Sequence, residues 1–224
     1  MRFVRENSLS IFFLVIFLAS LAGQAIAGHA QFNHDELVHG GNAISLGRYL
    51  TTSQFAADVA ENWQSEYLQF TLYILTTVWL LQRGSPESKP LDQAGRQSEE
   101  EQKIGQYADE RSPRWARVGG LRTTLYSNSL LIVMTTIWLL SWLAQSIAGR
   151  VAYNADQLDH QAATMTWVQY LGSSDFWDRT LQNWQSEFLA VGSMAILSIY
   201  LRQRGSPESK PVGASHEATG VEGG

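Results

Sequence analysis

The chain has 224 residues, a formal net charge of -5 and no cysteine. The absence of cysteine excludes disulfide bonds, thiol catalysis and cysteine-ligated zinc sites. The charge is modest and forms no basic stripe of the kind that binds nucleic acid, so no nucleic-acid partner is expected.

The first predicted element is an uncharged, apolar helix over about residues 7–28. Crossing the hydrocarbon core of a bilayer takes about 20 helical residues, so this run is long enough. Arg2, Arg5 and the small-residue ending Ala25-Ile26-Ala27 would also suit a cleaved secretory signal. We favour a retained span, because the same ending recurs inside the chain at 145–149, where a signal peptide cannot lie.

The second predicted helix is polar at its beginning and apolar at its end. Its uncharged run, Tyr67 to Leu81, is too short to cross a bilayer, so we expect the helix to begin near Phe55 and to continue to Gln82. Ser53 is the predicted N-cap and Gly84 the predicted C′ residue. The corresponding later positions are Ser174, Phe176, Gln203 and Gly205.

These elements then recur. Residues 7–90 align without a gap with residues 128–211, at a constant offset of 121, and Asn-Trp-Gln-Ser-Glu occurs at both 62–66 and 183–187. The third apolar run, Leu125 to Gly149, repeats the first and is long enough to cross a bilayer. The predicted domains are a first two-span module at 1–90, a polar cytoplasmic connector at 91–121, a second two-span module at 122–211 and a disordered tail at 212–224.

Charge sets the predicted orientation. Lys and Arg accumulate on the cytoplasmic side of short loops. The central segment 82–124 holds eight of them, whereas the two outer loops hold only Arg48, Arg150 and Arg179. Both termini are therefore predicted to be cytoplasmic, and the two modules share one orientation. The predicted fold is an all-α integral membrane four-helix bundle built from two tandem two-helix repeats in parallel orientation.

Ionisable and amide side chains at the start of the second and fourth apolar runs are the candidate polar site. Glu66 and Glu187 lie at the edge of the predicted membrane core, and Asn62 and Asn183 precede them by one helical turn. An ionisable group there usually has a partner or a task. One interpretation is a carboxylate pair that binds a proton or a cation. The other, which we favour, is a pair of carboxylates that fix the packing of neighbouring helices.

Other repeated polar residues receive structural interpretations. Gln24 and Gln145 are expected to hydrogen-bond between helices. The repeated pair Asp35 and His39 is expected to form a simple Asp–His hydrogen bond or to cap a helix rather than to bind a metal, and no metal site or cofactor is predicted. Aromatic side chains at the predicted membrane surfaces are interfacial anchors: Trp63, Trp184 and Trp115.

Several repeated motifs resemble those of a known family. These are Asn-Ser-Leu before an apolar run, Gly-Gln-x-x-x-Gly from Gly23 to Gly28, Tyr-Leu followed by Phe, Asn-Trp-Gln-Ser-Glu, and Gly-Ser-x-Glu-Ser-Lys. Together they resemble an uncharacterised family of small bacterial inner-membrane proteins, a domain of unknown function. In the second copy Ala144 replaces the first glycine of the Gly-Gln motif. The resemblance implies a bacterial inner (plasma) membrane and no particular activity.

Three hypotheses about function follow. The leading one is a structural or interaction role through helix packing and contacts with lipid, a second copy or another membrane protein. The alternative is a small proton- or cation-coupled transporter or channel subunit that uses Glu66 and Glu187. An enzyme is least expected, because no nucleophile and base occur together in or beside the apolar runs.

Overall fold

A computed structural model describes residues 2–220. Within these residues the regular structure is helical and contains no strand, so the predicted all-α class is confirmed for the described chain. The helices are α1 Arg2–Glu6, α2 Ser8–Val38, α3 Leu46–Tyr49, α4 Ser53–Thr76, α5 Arg114–Arg117, α6 Gly120–Ser127, α7 Ser129–Asp159, α8 Trp167–Leu171 and α9 Ser174–Tyr200. A short 3₁₀ turn, Gly105–Tyr107, lies in the otherwise irregular connector.

Two of the helices, α2 and α7, are long and apolar enough to cross a membrane. Each has 31 residues, or about 46 Å of helix, against a hydrocarbon core of about 30 Å. Length and composition alone are weak support for a span, because a signal sequence near an N-terminus or a core helix meets the same standard. The helices α4 and α9 are more polar at their first turns, so the four-span bundle stays a prediction.

The starts of α4 and α9 lie where the repeat predicts them, but the capping residues differ by one position. The Thr52 hydroxyl accepts the backbone N–H of Phe55 at 3.3 Å. The Ser173 hydroxyl accepts that of Phe176 at 3.2 Å. Ser53, predicted as an N-cap, is the first helical residue instead. A hydroxyl one residue earlier reaches the free N–H groups of the first turn equally well.

The ends of α4 and α9 are earlier than predicted, at Thr76 and Tyr200 rather than at Gln82 and Gln203. To continue the helix, the N–H of Gln82 would have to bond to the carbonyl of Val78. That carbonyl instead accepts the N–H of Gly95 at 2.7 Å, and the N–H of Gln82 is bound by Ser88 Oγ at 2.9 Å.

The second copy ends in the same way. The Ile199 carbonyl is bound by His216 Nδ1 and by the Arg202 guanidinium, each at 3.0 Å, and Ser209 Oγ binds the N–H of Gln203 at 2.9 Å. Gly84 and Gly205 have positive φ angles of 85° and 84°, but in a turn beyond the helix and not as its C′ residues.

The C-terminal ends of α2 and α7 form matching Schellman caps. The N–H of Gly41 bonds to the Glu36 carbonyl and that of Ala162 to the Gln157 carbonyl, both at 2.7 Å. The residue that turns the chain is Gly40 in the first copy, with φ of 81°. In the second copy it is Gln161, with φ of 56°, a region that costs a residue with a Cβ about 1–2 kcal/mol.

Gln161→Gly is therefore expected to stabilise the protein by about 1 kcal/mol, since glycine adopts this conformation without steric cost. The melting temperature of the purified protein in detergent should rise by about 2–4 °C. Gly40→Gln is the matched control at the equivalent turn and should lower it by a similar amount. Equal melting of the two variants would contradict this account of the caps.

Contacts divide the chain into two compact units that cut across the repeat. One unit contains the chain up to Ala60 together with Ala144–Phe176. The other contains Glu61–Leu143 together with the described residues from Trp177 onward. Each unit thus takes parts of both predicted modules. The predicted modules follow the repeat and not these contacts, and they stay a prediction.

Candidate functional site

The two copies of Asn-Trp-Gln-Ser-Glu are placed differently in the structure. On α4 the side chain of Gln64 is fully buried and Ser65 nearly so, whereas Asn62, Trp63 and Glu66 are exposed. On α9 the partly buried residues are Asn183, Trp184 and Glu187. Identical sequences therefore present different faces to their surroundings.

The buried face of the first copy contacts the second copy directly. Trp184 Nε1 donates a hydrogen bond to Gln64 Oε1 at 2.8 Å. One turn earlier on each helix, Arg179 Nε lies 2.6 Å from Glu61 Oε2, and both side chains are less than a third exposed. These two contacts join α4 to α9 within one compact unit.

The two residues of this ion pair are not repeated in the other copy. Glu61 corresponds to Gln182 in the repeat, and Arg179 corresponds to Asp58. If the two modules were identical, position 179 would hold an aspartate, as position 58 does, and its charge would repel that of Glu61. The exchange to arginine gives opposite charges where α4 and α9 meet, and an ion pair this sheltered from solvent is screened less than a surface pair.

An aromatic cluster surrounds Trp142 of α7. Its ring centroid lies 5.9 Å from that of Trp138, 6.0 Å from that of Trp184 and 6.2 Å from that of Trp177. Trp184, predicted as an interfacial anchor, is thus also a packing residue. The corresponding residues of the first module are Phe17, Leu21, Trp63 and Ala56, so three of the four tryptophans are particular to the second module.

The predicted polar site is brought together only in part. Glu66 and Glu187 lie in the same compact unit, close enough for their charges to act on each other. Gln24, partly buried, and Gln145, buried, belong to the other unit. Asn183 Nδ2 donates to the Arg179 carbonyl at 2.9 Å, along its own helix. The other predicted anchors, Trp63 and Trp115, have exposed rings.

In each module a buried tyrosine, which the motifs did not single out, packs on a helix glycine. Tyr170 is buried, and a Cβ placed on Gly149 would lie 2.6 Å from its hydroxyl oxygen. Tyr49 lies over Gly28 in the same way. The repeat could have indicated this contact, because both the glycine and the tyrosine recur at the offset of 121. The last glycine of the Gly-Gln-x-x-x-Gly motif is therefore the place where the ring approaches the helix.

An asparagine amide in each module holds the outer loop to the long helix. Asn33 Oδ1 accepts the N–H of Ile44 at 2.8 Å, and its Nδ2 donates to the carbonyl of the same residue at 3.0 Å. Asn154 makes the same two bonds to Met165, both at 2.8 Å. The amide thus takes the place of a backbone partner and satisfies both the N–H and the carbonyl of one loop residue.

The repeated Asp and His pair caps a helix end. His39 Nδ1 and His160 Nδ1 each lie 2.8 Å from the carbonyl of the aspartate four residues earlier. Among residues 2–220 no group of three or more metal-ligating side chains comes together. The contacts of the two histidines with these carbonyls are local, at the end of α2 and of α7.

The last repeated motif forms the same closed turn twice, but its lysine differs. In the first copy Lys89 Nζ donates to the Gly95 carbonyl at 2.7 Å. In the second copy Lys210 is only 1% exposed, and its Nζ is surrounded by backbone oxygen atoms. They are the carbonyls of Gly84 at 2.6 Å, His216 at 3.0 Å, Ser215 at 3.1 Å and Ala218 at 3.2 Å.

This lysine joins the end of the chain to the turn of the first module. The N–H of Gly84 donates to Thr219 Oγ1 at 2.8 Å, and the N–H of Gly220 donates to the Ser85 carbonyl at 3.1 Å. Burial, with a smaller effect from the charge of Arg202, lowers the pKa of Lys210 from its ordinary value. A disordered tail is predicted over 212–224. In the structure residues 212–220 form hydrogen-bonded turns, and 221–224 lie outside the described residues.

Comparison with known protein families gives a match over almost the whole chain. The model of a family described as "Domain of unknown function (DUF6766)" covers residues 1–221. The chain belongs to this family. The match extends over both predicted modules and the connector, so the repeat lies within one family domain. No curated protein and no solved structure matches the chain.

Proposed function

We propose that this protein is a four-span protein of the bacterial inner membrane, with both termini in the cytoplasm, that acts through helix packing and contacts with lipid or a membrane partner and has no enzymatic activity. The first helix is retained as a span. The spans are α2, α4, α7 and α9, and α4 and α9 are long enough at about 36 and 40 Å.

One observation carries this proposal: the long helices expose many large apolar side chains and bury several polar ones. The buried polar side chains of α4, α7 and α9 are Gln64, Ser65, Thr71, Ser141, Gln145, Ser146, Thr180 and Ser198. Large exposed apolar side chains of the same helices include Phe70, Leu75, Leu139, Leu140, Phe188, Leu189, Ile196 and Leu197. In water this distribution is unfavourable, whereas in lipid small and polar residues stabilise contacts between helices.

The absence of cysteine makes the topology directly testable. Single cysteines at Asn42, Ala163, Gln97 and Glu217, all exposed, can be probed in intact bacteria with a membrane-impermeant maleimide. We expect labelling at Asn42 and Ala163 in intact cells, and at Gln97 and Glu217 only after permeabilisation. If α2 and α7 alone crossed the membrane, Gln97 would be labelled from outside and Ala163 would not, and the four-span proposal would be wrong.

A second candidate function, proton- or cation-coupled transport, is favoured by the proximity of Glu66 and Glu187. Their charges act on each other, and none of the ion pairs among residues 2–220 includes either of them. A like-charge pair that is retained against its own repulsion is a feature of sites where function competes with stability.

If the two carboxylates serve transport and not packing, neutralising them should not destabilise the protein. At neutral pH we expect Glu66→Gln with Glu187→Gln to melt at the same temperature as the wild type or higher, because like-charge repulsion is removed. The difference should vanish in acid, where the wild-type carboxylates are protonated as well. A fall of several degrees in the melting temperature would mean that the pair is a packing element. The transport hypothesis would then lose the two residues on which it rests.

The neighbouring ion pair provides the contrast. Glu61→Gln with Arg179→Gln removes an attractive pair between α4 and α9 and should lower the melting temperature. Exposed connector glutamates, neutralised as Glu99→Gln with Glu100→Gln, control for the change in net charge. Of the two double variants on the helices, only Glu61→Gln with Arg179→Gln is thus expected to lower the melting temperature.

A further inference from the structure

We propose that residues 113–126, named here the basic segment, bind the headgroups of anionic phospholipids at the cytoplasmic membrane surface. The segment comprises α5 and most of α6 and ends directly before α7, one of the two helices long and apolar enough to cross a membrane. This inference rests on the proposed topology, which puts the segment on the cytoplasmic side.

The basic segment is held together without the membrane. Thr123 Oγ1 of α6 donates a hydrogen bond to the carbonyl of Trp115 in α5 at 2.7 Å. Thr123 and Ala116 are the buried residues of these two short helices. The bond and the burial fix the two helices against each other, so a lipid would meet a preformed surface and would not have to order it.

The surface that remains is apolar and aromatic. Its large exposed side chains are Trp115, Val118, Leu121, Leu125 and Tyr126. Leu121, at 74%, is more exposed than any other large apolar side chain of the described chain. Tryptophan and tyrosine favour the headgroup level of a bilayer, and leucine beside them can enter the acyl boundary.

The charge of the segment is complementary to an anionic surface. It contains Arg114, Arg117 and Arg122, all exposed, and no acidic residue occurs in the sequence from Pro113 to Ala155. None of the ion pairs among residues 2–220 includes these arginines. Their guanidinium groups are thus available to phosphate oxygens, which arginine binds through two parallel hydrogen bonds.

An acidic group just before the segment, Asp109, is held in its own turn. The carboxylate of Asp109 accepts the backbone N–H groups of Arg111 and Ser112, at 2.7 and 2.9 Å. These bonds hold the pKa of Asp109 below its ordinary value and keep the carboxylate in its own turn. An acidic soluble protein could also meet three arginines, but exposed leucine and tryptophan next to a membrane span favour the bilayer.

The test uses the full chain in lipid nanodiscs of phosphatidylcholine, with and without phosphatidylglycerol. The variant is Arg114→Gln with Arg117→Gln and Arg122→Gln, and the matched control is Arg96→Gln with Lys103→Gln and Arg111→Gln, which loses the same charge from exposed connector positions. We expect phosphatidylglycerol to raise the melting temperature of wild type and control and to leave that of the variant unchanged. Retention of phosphatidylglycerol in native mass spectra should fall about tenfold or more in the variant only.

Equal responses of variant and control would overturn the proposal, since net charge alone would then explain the effect. Leu121→Asn, which keeps all three arginines, should reduce retention as well, and an unchanged value would mean that the surface does not enter the bilayer. Retention of an acidic peptide in place of lipid would point to a protein partner instead. Labelling at Gln97 reports the topology separately, so a failure of the topology is distinguishable from a failure of lipid binding.

Discussion

Lys210→Met should release the end of the chain from the turn of the first module and destabilise this contact by about 3 kcal/mol. The ammonium of Lys210 shares its three N–H groups among four backbone carbonyls within 3.2 Å, and Gly84 is 126 positions away along the chain. Hydrogen bonds from a charged donor contribute about 1.5–3 kcal/mol each when measured singly. Methionine retains most of the apolar stem but leaves the carbonyl oxygens without a donor in a buried place.

Hydrogen exchange measures this effect locally. The amides of Gly84 and Gly220 are bound across this contact, and in Lys210→Met their exchange should accelerate about 100-fold. Lys89→Met is the matched control, because the equivalent lysine donates one bond, to Gly95 in its own loop. Equal acceleration of Gly84 exchange in both variants would show that the hydrogen bonds of Lys210 do not hold the tail.

Gly28→Ala should destabilise the first module by about 2–3 kcal/mol, because the new methyl group would overlap the hydroxyl of Tyr49. Tyr49 is buried, so its ring has little room to move away. Tyr49→Phe removes the overlapping oxygen atom and leaves the ring carbon behind it at 3.1 Å from the new Cβ. The double variant should therefore regain most of the lost stability.

A double-mutant cycle in detergent tests this close approach. Gly23→Ala lies on the same helix with no atom within 4 Å of the new Cβ, and the second module already carries Ala144 there. It should be neutral or slightly stabilising, since alanine favours helix over glycine by about 1 kcal/mol. A loss of stability that is the same with Tyr49 and with Phe at position 49 would assign the effect to the helix and not to the ring.

The two long apolar helices and the beginnings of α4 and α9 could be predicted from the sequence. Both depend on local causes: an uncharged run of sufficient length for α2 and α7, and a hydroxyl followed by an apolar run for the starts at Ser53 and Ser174. The caps of α2 and α7 are local in the same sense, because each Schellman bond joins residues five positions apart.

The residues of the candidate site could be predicted from the sequence, but their contacts could not. The repeat singled out Glu66 and Glu187, which lie in the same compact unit. It did not single out Gln64 and Trp184 as partners, because two identical motifs carry no sign of which residue will be buried in which copy. That choice follows from differences elsewhere, such as Asp58 against Arg179.

By itself, the sequence determined the repeat, the helical class, the two long apolar helices and the places where helices begin, because each depends on residues that are neighbours in the chain. Tertiary structure alone decided where α4 and α9 end, which copy of the motif is buried and what surrounds Lys210. The Val78 carbonyl could accept the N–H of Gln82, as in a continued helix, or the N–H of Gly95, as it does in the structure. The two hydrogen bonds are of similar strength. The packing of distant segments, and not the local pattern, then selects the partner.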